Sequence, residues 1–108
     1  MRFAATIEIS PDTGARMDAQ PGGPGPAIRQ LMEQFRPDSC WVALDRRALF
    51  VVADFPGEKD IAAFMAFVSA RFETYPEMTP VVDVREFGAI SRHIAETVHG
   101  GGDQRHAD

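Results

Sequence analysis

The first residues of the chain alternate between apolar and polar side chains. In residues 3–9, bulky apolar side chains stand at positions 3, 7 and 9, whereas Thr6 and Glu8 point to the opposite side. A period of two is typical of a strand that buries one face. The segment therefore predicts a first strand, which ends at Ser10-Pro11-Asp12.

Two later segments repeat their apolar residues at helical spacing. One begins at Pro26, ends before Pro37, and has an apolar stripe of Ile28, Leu31, Met32 and Phe35. The other follows Pro56-Gly57, ends at Tyr75-Pro76, and has a stripe of Ile61, Phe64, Met65, Val68 and Phe72. Spacings of three and four residues predict amphipathic helices that each bury one side.

Between these helices, residues 40–45 and 49–55 are rich in valine and aromatic side chains and predict two strands. The connection between them is short enough only for a hairpin. A fourth strand is expected over 79–87, and a last helix from residue 89 to about 98, before Gly100-Gly101-Gly102. We expect residues 1–99 to form one domain and residues 100–108 to be a disordered tail.

Residues 10–26 separate the first strand from the first predicted helix, and residues 21–26 are all proline or glycine. Such a composition predicts a long connection, with at most one helical turn around residues 16–19. The proline- and glycine-rich part, residues 20–26, could be a lid over a pocket or a surface insertion, and we favour the insertion.

The order β-α-β-β-α-β, with a C-terminal helix, predicts an α+β ferredoxin-like sandwich whose antiparallel sheet carries two helices on one face. Such a sheet should be polar on its bare face, but the second and third strands carry apolar side chains on both faces. Trp41, Phe50 and Val52 are expected on one face of the sheet, and Cys40, Val51 and their neighbours on the other. Because an exposed apolar patch marks an interaction site, we expect a homodimer with its sheets packed face to face.

The segment Phe50-Val51-Val52-Ala53-Asp54-Phe55-Pro56, the alanine-rich helix and Glu77-Met78-Thr79-Pro80-Val81-Val82-Asp83 together resemble the dimeric α+β-barrel superfamily. The chain is similar to small members without assigned function and to muconolactone-isomerase-like and antibiotic-biosynthesis-monooxygenase-like proteins. The resemblance covers residues 1–98, and the long proline- and glycine-rich loop departs from its pattern. That superfamily includes cofactor-free oxygenases, lactone isomerases, polyketide cyclases, haem-handling enzymes and proteins with no known activity, so fold alone does not decide the function.

His93 is the first candidate for chemistry, because Ile90, His93, Ile94 and Thr97 share one stripe of the last helix. On an inward face, His93 could act as a general acid or base at a pocket mouth, since histidine exchanges protons near neutral pH. The more common alternative is a packed histidine with one hydrogen bond. Glu96 is its only ligand-type neighbour on the helix, so we expect neither a metal nor a haem site.

Asp83 and Arg85 share one face of the expected fourth strand. They could orient a polar group of a substrate, or they could be edge-strand charges that prevent aggregation, and we favour the edge role. Tyr75 could donate a hydrogen bond to a ligand or cap the helix end. The candidate apolar lining of a ligand cavity or of a dimer interface consists of Trp41, Phe50, Val52 and Phe64.

Composition narrows the possible classes. The 108 residues are 44% hydrophobic and 25% charged with a net charge of −5, which is typical of a globular protein and disfavours nucleic-acid binding. No apolar run approaches the roughly 20 residues of a membrane span, and the start lacks a signal-peptide pattern. Cys40 is the single cysteine and cannot form an intrachain disulfide. We therefore expect a cytoplasmic protein that does not bind membranes.

These patterns favour a homodimer that binds a small apolar or aromatic molecule and that could isomerise, cyclise or oxidise it without a cofactor. His93, Asp83, Arg85 and Tyr75 would carry the polar work. The alternative is a non-catalytic ligand-binding or assembly module. The two hypotheses differ in cavity content, because a binder needs a cavity of about 300 Å³ or more with convergent polar groups.

Overall fold

The computed structural model describes the backbone of residues 1–107 and the side chains of residues 1–99. It is an α+β structure, as the sequence predicts. The elements in chain order are β1 (Arg2–Glu8), α1 (Pro11–Asp18), α2 (Gly25–Phe35), β2 (Ser39–Val42), β3 (Ala48–Asp54), α3 (Glu58–Phe72), β4 (Glu77–Pro80) and α4 (Val84–Ala107).

The four strands form an open antiparallel sheet in the order β2-β3-β1-β4. The predicted hairpin is confirmed: Trp41 lies opposite Phe50, and Val42 lies opposite Leu49. The first strand of the chain lies inside the sheet, between β3 and β4. This arrangement is compatible with a ferredoxin-like fold.

The core lies between one face of the sheet and helices α2 and α3. Its fully buried members, each under 2% exposed, are Phe64, Phe72, Ile7, Leu31, Leu49, Val51 and Val68. The Phe64 ring packs edge-on against Phe35 and Phe55, with centroids 5.1 and 5.2 Å away. Both predicted helical stripes are confirmed in their central positions, but Met32, expected on the α2 stripe, is 47% exposed.

The segment before α2 contains a helix that the sequence did not predict. In α1, Pro11 occupies the first turn, and the Ser10 hydroxyl accepts a hydrogen bond from the Thr13 backbone N–H at 3.2 Å. The serine-proline motif follows the end of β1 at Glu8, as predicted, and in addition caps this helix. Met17 is buried in the core cluster. The prediction that residues 10–26 form a long connection without a buried core residue was therefore wrong.

The fourth strand is shorter than predicted, and the last helix begins earlier. β4 ends at Pro80, and α4 begins at Val84. The Asp83 carboxylate accepts the Arg85 backbone N–H at 2.7 Å, so Asp83 caps this helix. Asp83 and Arg85 are therefore not on a strand, and the edge-strand role predicted for them was wrong.

Helix α4 is exposed along its described length. Every side chain in residues 84–99 is exposed, and the molecule measures 68 × 25 × 23 Å because α4 extends away from the body. The expectation that His93 faces inward was therefore wrong. The predicted disordered tail, residues 100–108, lies outside the residues whose side chains are described. No helix in the described part of the chain is long and apolar enough to cross a membrane.

Candidate functional site

The face of the sheet opposite the core carries no helix of the body. We call this surface the open face; its residues are Ala4, Thr6, Ser39, Trp41, Phe50, Val52 and Thr79. Trp41 is 68% exposed, whereas Phe50 and Val52 are half-buried. Trp41, Phe50 and Thr6 lie side by side on three neighbouring strands. The structure therefore brings three of the four residues predicted as an apolar lining, Trp41, Phe50 and Val52, to one surface.

Charged groups border the open face. Arg2 Nε donates a hydrogen bond to Asp38 Oδ2 at 2.6 Å, and this contact holds the pKa of Arg2 above its usual range. At the opposite end, the Arg46 guanidinium lies 3.4 Å from Glu8 and 5.5 Å from the centre of the Phe50 ring. An apolar centre with a charged border is the usual anatomy of a protein interface.

A cleft of about 770 Å³ opens at one end of this face, where α4 begins. Its lining residues are Arg2, Asp38, Val52, Val81, Val82, Asp83, Arg85 and Glu86. The apolar part comes from β3 and the β4–α4 connection, and the charged part comes from the start of α4. The sequence predicted three of these residues, Val52, Asp83 and Arg85, but not their meeting at one cleft, since α4 was expected to begin later.

Asp83 and Arg85 form a two-point ion pair inside the cleft. Arg85 Nε and Nη2 donate to Asp83 Oδ1 and Oδ2, both at 3.0 Å. The guanidinium holds the pKa of Asp83 below its usual range, and the Arg85 backbone N–H adds to the effect. Asp83 is therefore an ionised carboxylate near neutral pH whose lone pairs are already engaged, so it is a poor general acid or base.

The remaining candidates lie apart from the cleft. His93 is exposed on α4, and Tyr75 is 70% exposed between α3 and β4. Phe64, the fourth residue of the predicted apolar lining, is fully buried among other phenylalanine rings and does not line this cleft. The four predicted polar candidates thus do not converge on one point.

Two smaller clefts involve the unpredicted helix α1. One, of about 190 Å³, lies between α1, α2 and the hairpin and has a mainly apolar lining that includes Met17, Ile28 and Leu49. The other, of about 360 Å³, contains the Arg16–Glu73 ion pair, and Arg16 holds the pKa of Glu73 below its usual range. The Ser10 cap was the one sequence signal that could have indicated these sites.

Cys40 is half-buried on the core face of β2, and burial raises the pKa of its thiol. A protonated thiol is a weak nucleophile, so Cys40 is better explained as a small apolar residue packed against the core than as a nucleophile. Among the described residues, no three histidine, cysteine, aspartate or glutamate side chains cluster as a metal site would require.

Comparison with family models, with curated proteins and with solved structures found no match for this chain. The candidate site therefore consists of two adjoining features known from the geometry alone: the open face of the sheet and the cleft at its end.

Proposed function

We propose that the protein is a self-assembly module: a ferredoxin-like homodimer in which the open faces of two sheets pack against each other. The observation that carries this proposal is the apolar centre of the open face, formed by Trp41, Phe50 and Val52 across adjacent strands. Fully burying one such side chain stabilises an assembly by about 1.5–3 kcal/mol. In a two-fold dimer each residue acts twice, so the gain doubles.

The filled core favours assembly over catalysis. Phe64, Val68 and Phe72 close the space between sheet and helices, where a cavity-based enzyme would hold its substrate. The polar candidates are either exposed, as His93 and Tyr75 are, or bound to each other, as Asp83 and Arg85 are. We therefore propose no catalytic step.

The test places a charge on the open face. Val52→Glu introduces a carboxylate into the proposed interface. The nearby guanidinium groups of Arg2 and Arg85 are already paired with Asp38 and Asp83, so burial of the new charge costs several kcal/mol per copy. Ala62→Glu, at an exposed position of α3, is the matched control. Sedimentation velocity should show a dimer for the natural chain and for Ala62→Glu, and a monomer for Val52→Glu. A monomeric natural chain, or a dimeric Val52→Glu variant, would overturn the proposal.

The cleft at the end of the open face supports a second candidate function, the binding of a small organic molecule. Its volume of about 770 Å³ exceeds the roughly 300 Å³ of the smallest typical ligand pockets. Val52, Val81 and Val82 offer an apolar surface, and the charged part of the lining holds three carboxylates (Asp38, Asp83 and Glu86) beside Arg2 and Arg85, which are already paired. The cleft therefore suits an apolar or aromatic molecule without an anionic group. Native mass spectrometry of gently purified protein should then show a reproducible added mass per chain, which is lost in Val82→Glu. A mass unaffected by that substitution would rule out this site.

A further inference from the structure

Most of the large apolar side chains that remain exposed belong to two groups. The first group, which we call the α4 stripe, consists of Val84, Phe87, Ile90, Ile94 and Val98. The second group, the β2 edge, consists of Trp41 on the open face, Val42 on the opposite face of the same edge strand, and Leu44 just beyond the end of that strand; they are 68%, 59% and 103% exposed. Exposed apolar side chains gathered on one element mark a binding surface, and here two elements of one chain carry them.

The α4 stripe indicates that this helix packs against something. Its members recur at spacings of three and four residues and so share one side of the helix. A helix without tertiary contacts is marginally stable in water, and a glycine in its interior weakens it further. Gly88 is such a glycine, and no atom lies within 4 Å of the position that a Cβ would occupy there. Over residues 84–99, where the side chains of α4 are described, none is buried by the body of the same chain.

The position of α4 indicates a second copy as the support. The helix begins at the border of the open face, since Arg85 and Glu86 line the same cleft as the sheet residues Arg2 and Val52. In the homodimer proposed above, the second copy occupies the space over the open face. An element that starts at this border, and whose side chains its own body leaves exposed, begins within reach of the second copy.

The area of the open face points the same way. Four strands at about 4.8 Å spacing and seven residues at about 3.4 Å rise define a face of at most roughly 450 Å². A stable dimer buries about 800 Å² per partner. A helical arm of 16 residues is about 24 Å long and about 10 Å wide, so giving one arm and receiving another adds roughly 480 Å² per copy. With the arms included, the interface reaches the size of a stable dimer.

We propose that α4 is exchanged between two copies, so that the α4 stripe of each chain covers the β2 edge of the other. The inference rests on the proposed homodimer and names the elements that complete it. Trp41 belongs both to the open face and to the β2 edge, so it is the residue at which the two contacts meet.

The test uses Trp41, the only tryptophan, and Cys40, the only cysteine, whose replacement leaves a single site for a label. One chain carries Cys40→Ser and keeps Trp41. The other carries Cys40→Ser, Trp41→Phe and Thr97→Cys, with a nitroxide on the new thiol. Thr97 lies beside the α4 stripe, so a label there stays close to the docked surface. The two chains are refolded together, and mixed dimers are counted by native mass spectrometry.

Arm exchange predicts that Trp41 emission falls in proportion to the fraction of mixed dimers. The control label is on Lys59→Cys, an exposed position of α3, and should leave the emission unchanged. Mixed dimers with undiminished Trp41 emission would overturn arm exchange and leave the homodimer standing. A third chain, with Cys40→Ser and the Thr97→Cys label but with Trp41 kept, is refolded with an excess of unlabelled Cys40→Ser, Trp41→Phe chain. Quenching in these mixed dimers, without quenching in the first pair, would show that α4 folds back on its own body, which also overturns arm exchange. A chain that stays monomeric would overturn both proposals.

Discussion

Replacing Phe64 by alanine measures whether the space between sheet and helices is filled. Phe64 is 0% exposed and makes two edge-on aromatic contacts, with centroids 5.1 and 5.2 Å away. Truncating a buried phenylalanine costs about 3–5 kcal/mol, and each such aromatic pair contributes about 0.5–1.5 kcal/mol beyond its buried area. We therefore expect Phe64→Ala to lose about 4 kcal/mol, a large fraction of the roughly 5–15 kcal/mol that stabilises a domain.

Urea denaturation followed by far-ultraviolet circular dichroism is the assay. With a slope near 1.5–2 kcal/mol per molar urea, the unfolding midpoint should fall by about 2 M or more. All variants are compared at one protein concentration, because dimer dissociation contributes to apparent stability. Phe67→Ala is the control: its ring is only half-buried and contacts Phe35 at 5.5 Å, so its loss should be about half as large. A loss below about 1 kcal/mol for Phe64→Ala would show that its ring borders a void, and would refute the filled core.

Three further predictions test local features. Arg85→Gln should raise the pKa of Asp83 toward its ordinary value, as measured in a carboxyl NMR titration. Because folding lowers this pKa, the ion pair contributes fully to the free energy of unfolding when the pH is above the ordinary pKa of an aspartate. That contribution is lost as the pH falls through the lowered pKa. An unchanged titration would contradict the ion pair. Cys40 should react with iodoacetamide more slowly near neutral pH than a thiol in an unfolded peptide, since burial raises its pKa, and equal rates would show it to be accessible. Gly14→Ala should change the free energy of unfolding little, because its Cβ would meet only the outer part of the flexible, partly exposed Arg47 side chain, which can move aside, and because alanine is the better helix former. A clear loss of stability in urea that disappears in an Arg47→Ala background would contradict this expectation.

The periodic elements could be predicted from the sequence because burial fixes their pattern. The α3 stripe of Phe64, Val68 and Phe72 and the β2–β3 hairpin are both present as expected. Local pattern failed where a polar residue had two possible meanings. Ser10 was interpreted as the end of a strand, which is correct, but it also caps α1. Asp83 was interpreted as a strand residue but caps α4.

The candidate site was harder to predict than the fold. Helical periodicity showed that α4 has an apolar side but could not show what that side faces, so His93 was assigned to an interior that the described chain does not provide. The sequence analysis placed Asp83 and Arg85 on one face of a strand and predicted no ion pair between them. Their position beside Arg2 and Val52 depends on where the chain turns after Pro80. Residues that lie this far apart in the sequence can be placed side by side only when the path of the chain between them is known.

The central place of β1 in the sheet determines the order in which its two neighbours can pair with it during synthesis. Of the four strands of this sheet, β1 leaves the ribosome first, yet Phe3, Ala4 and Ala5 pair with Pro80, Thr79 and Met78, near the other end of the body. The partner β3 arrives earlier, and at roughly 5–20 residues per second the wait between the two partners lasts about a second or more. During that interval one side of β1 is an unpaired strand edge, the kind of edge on which nascent chains aggregate. β1 gains its second partner only after β4 emerges, so truncation before Glu77 leaves a chain in which this edge of β1 stays unpaired.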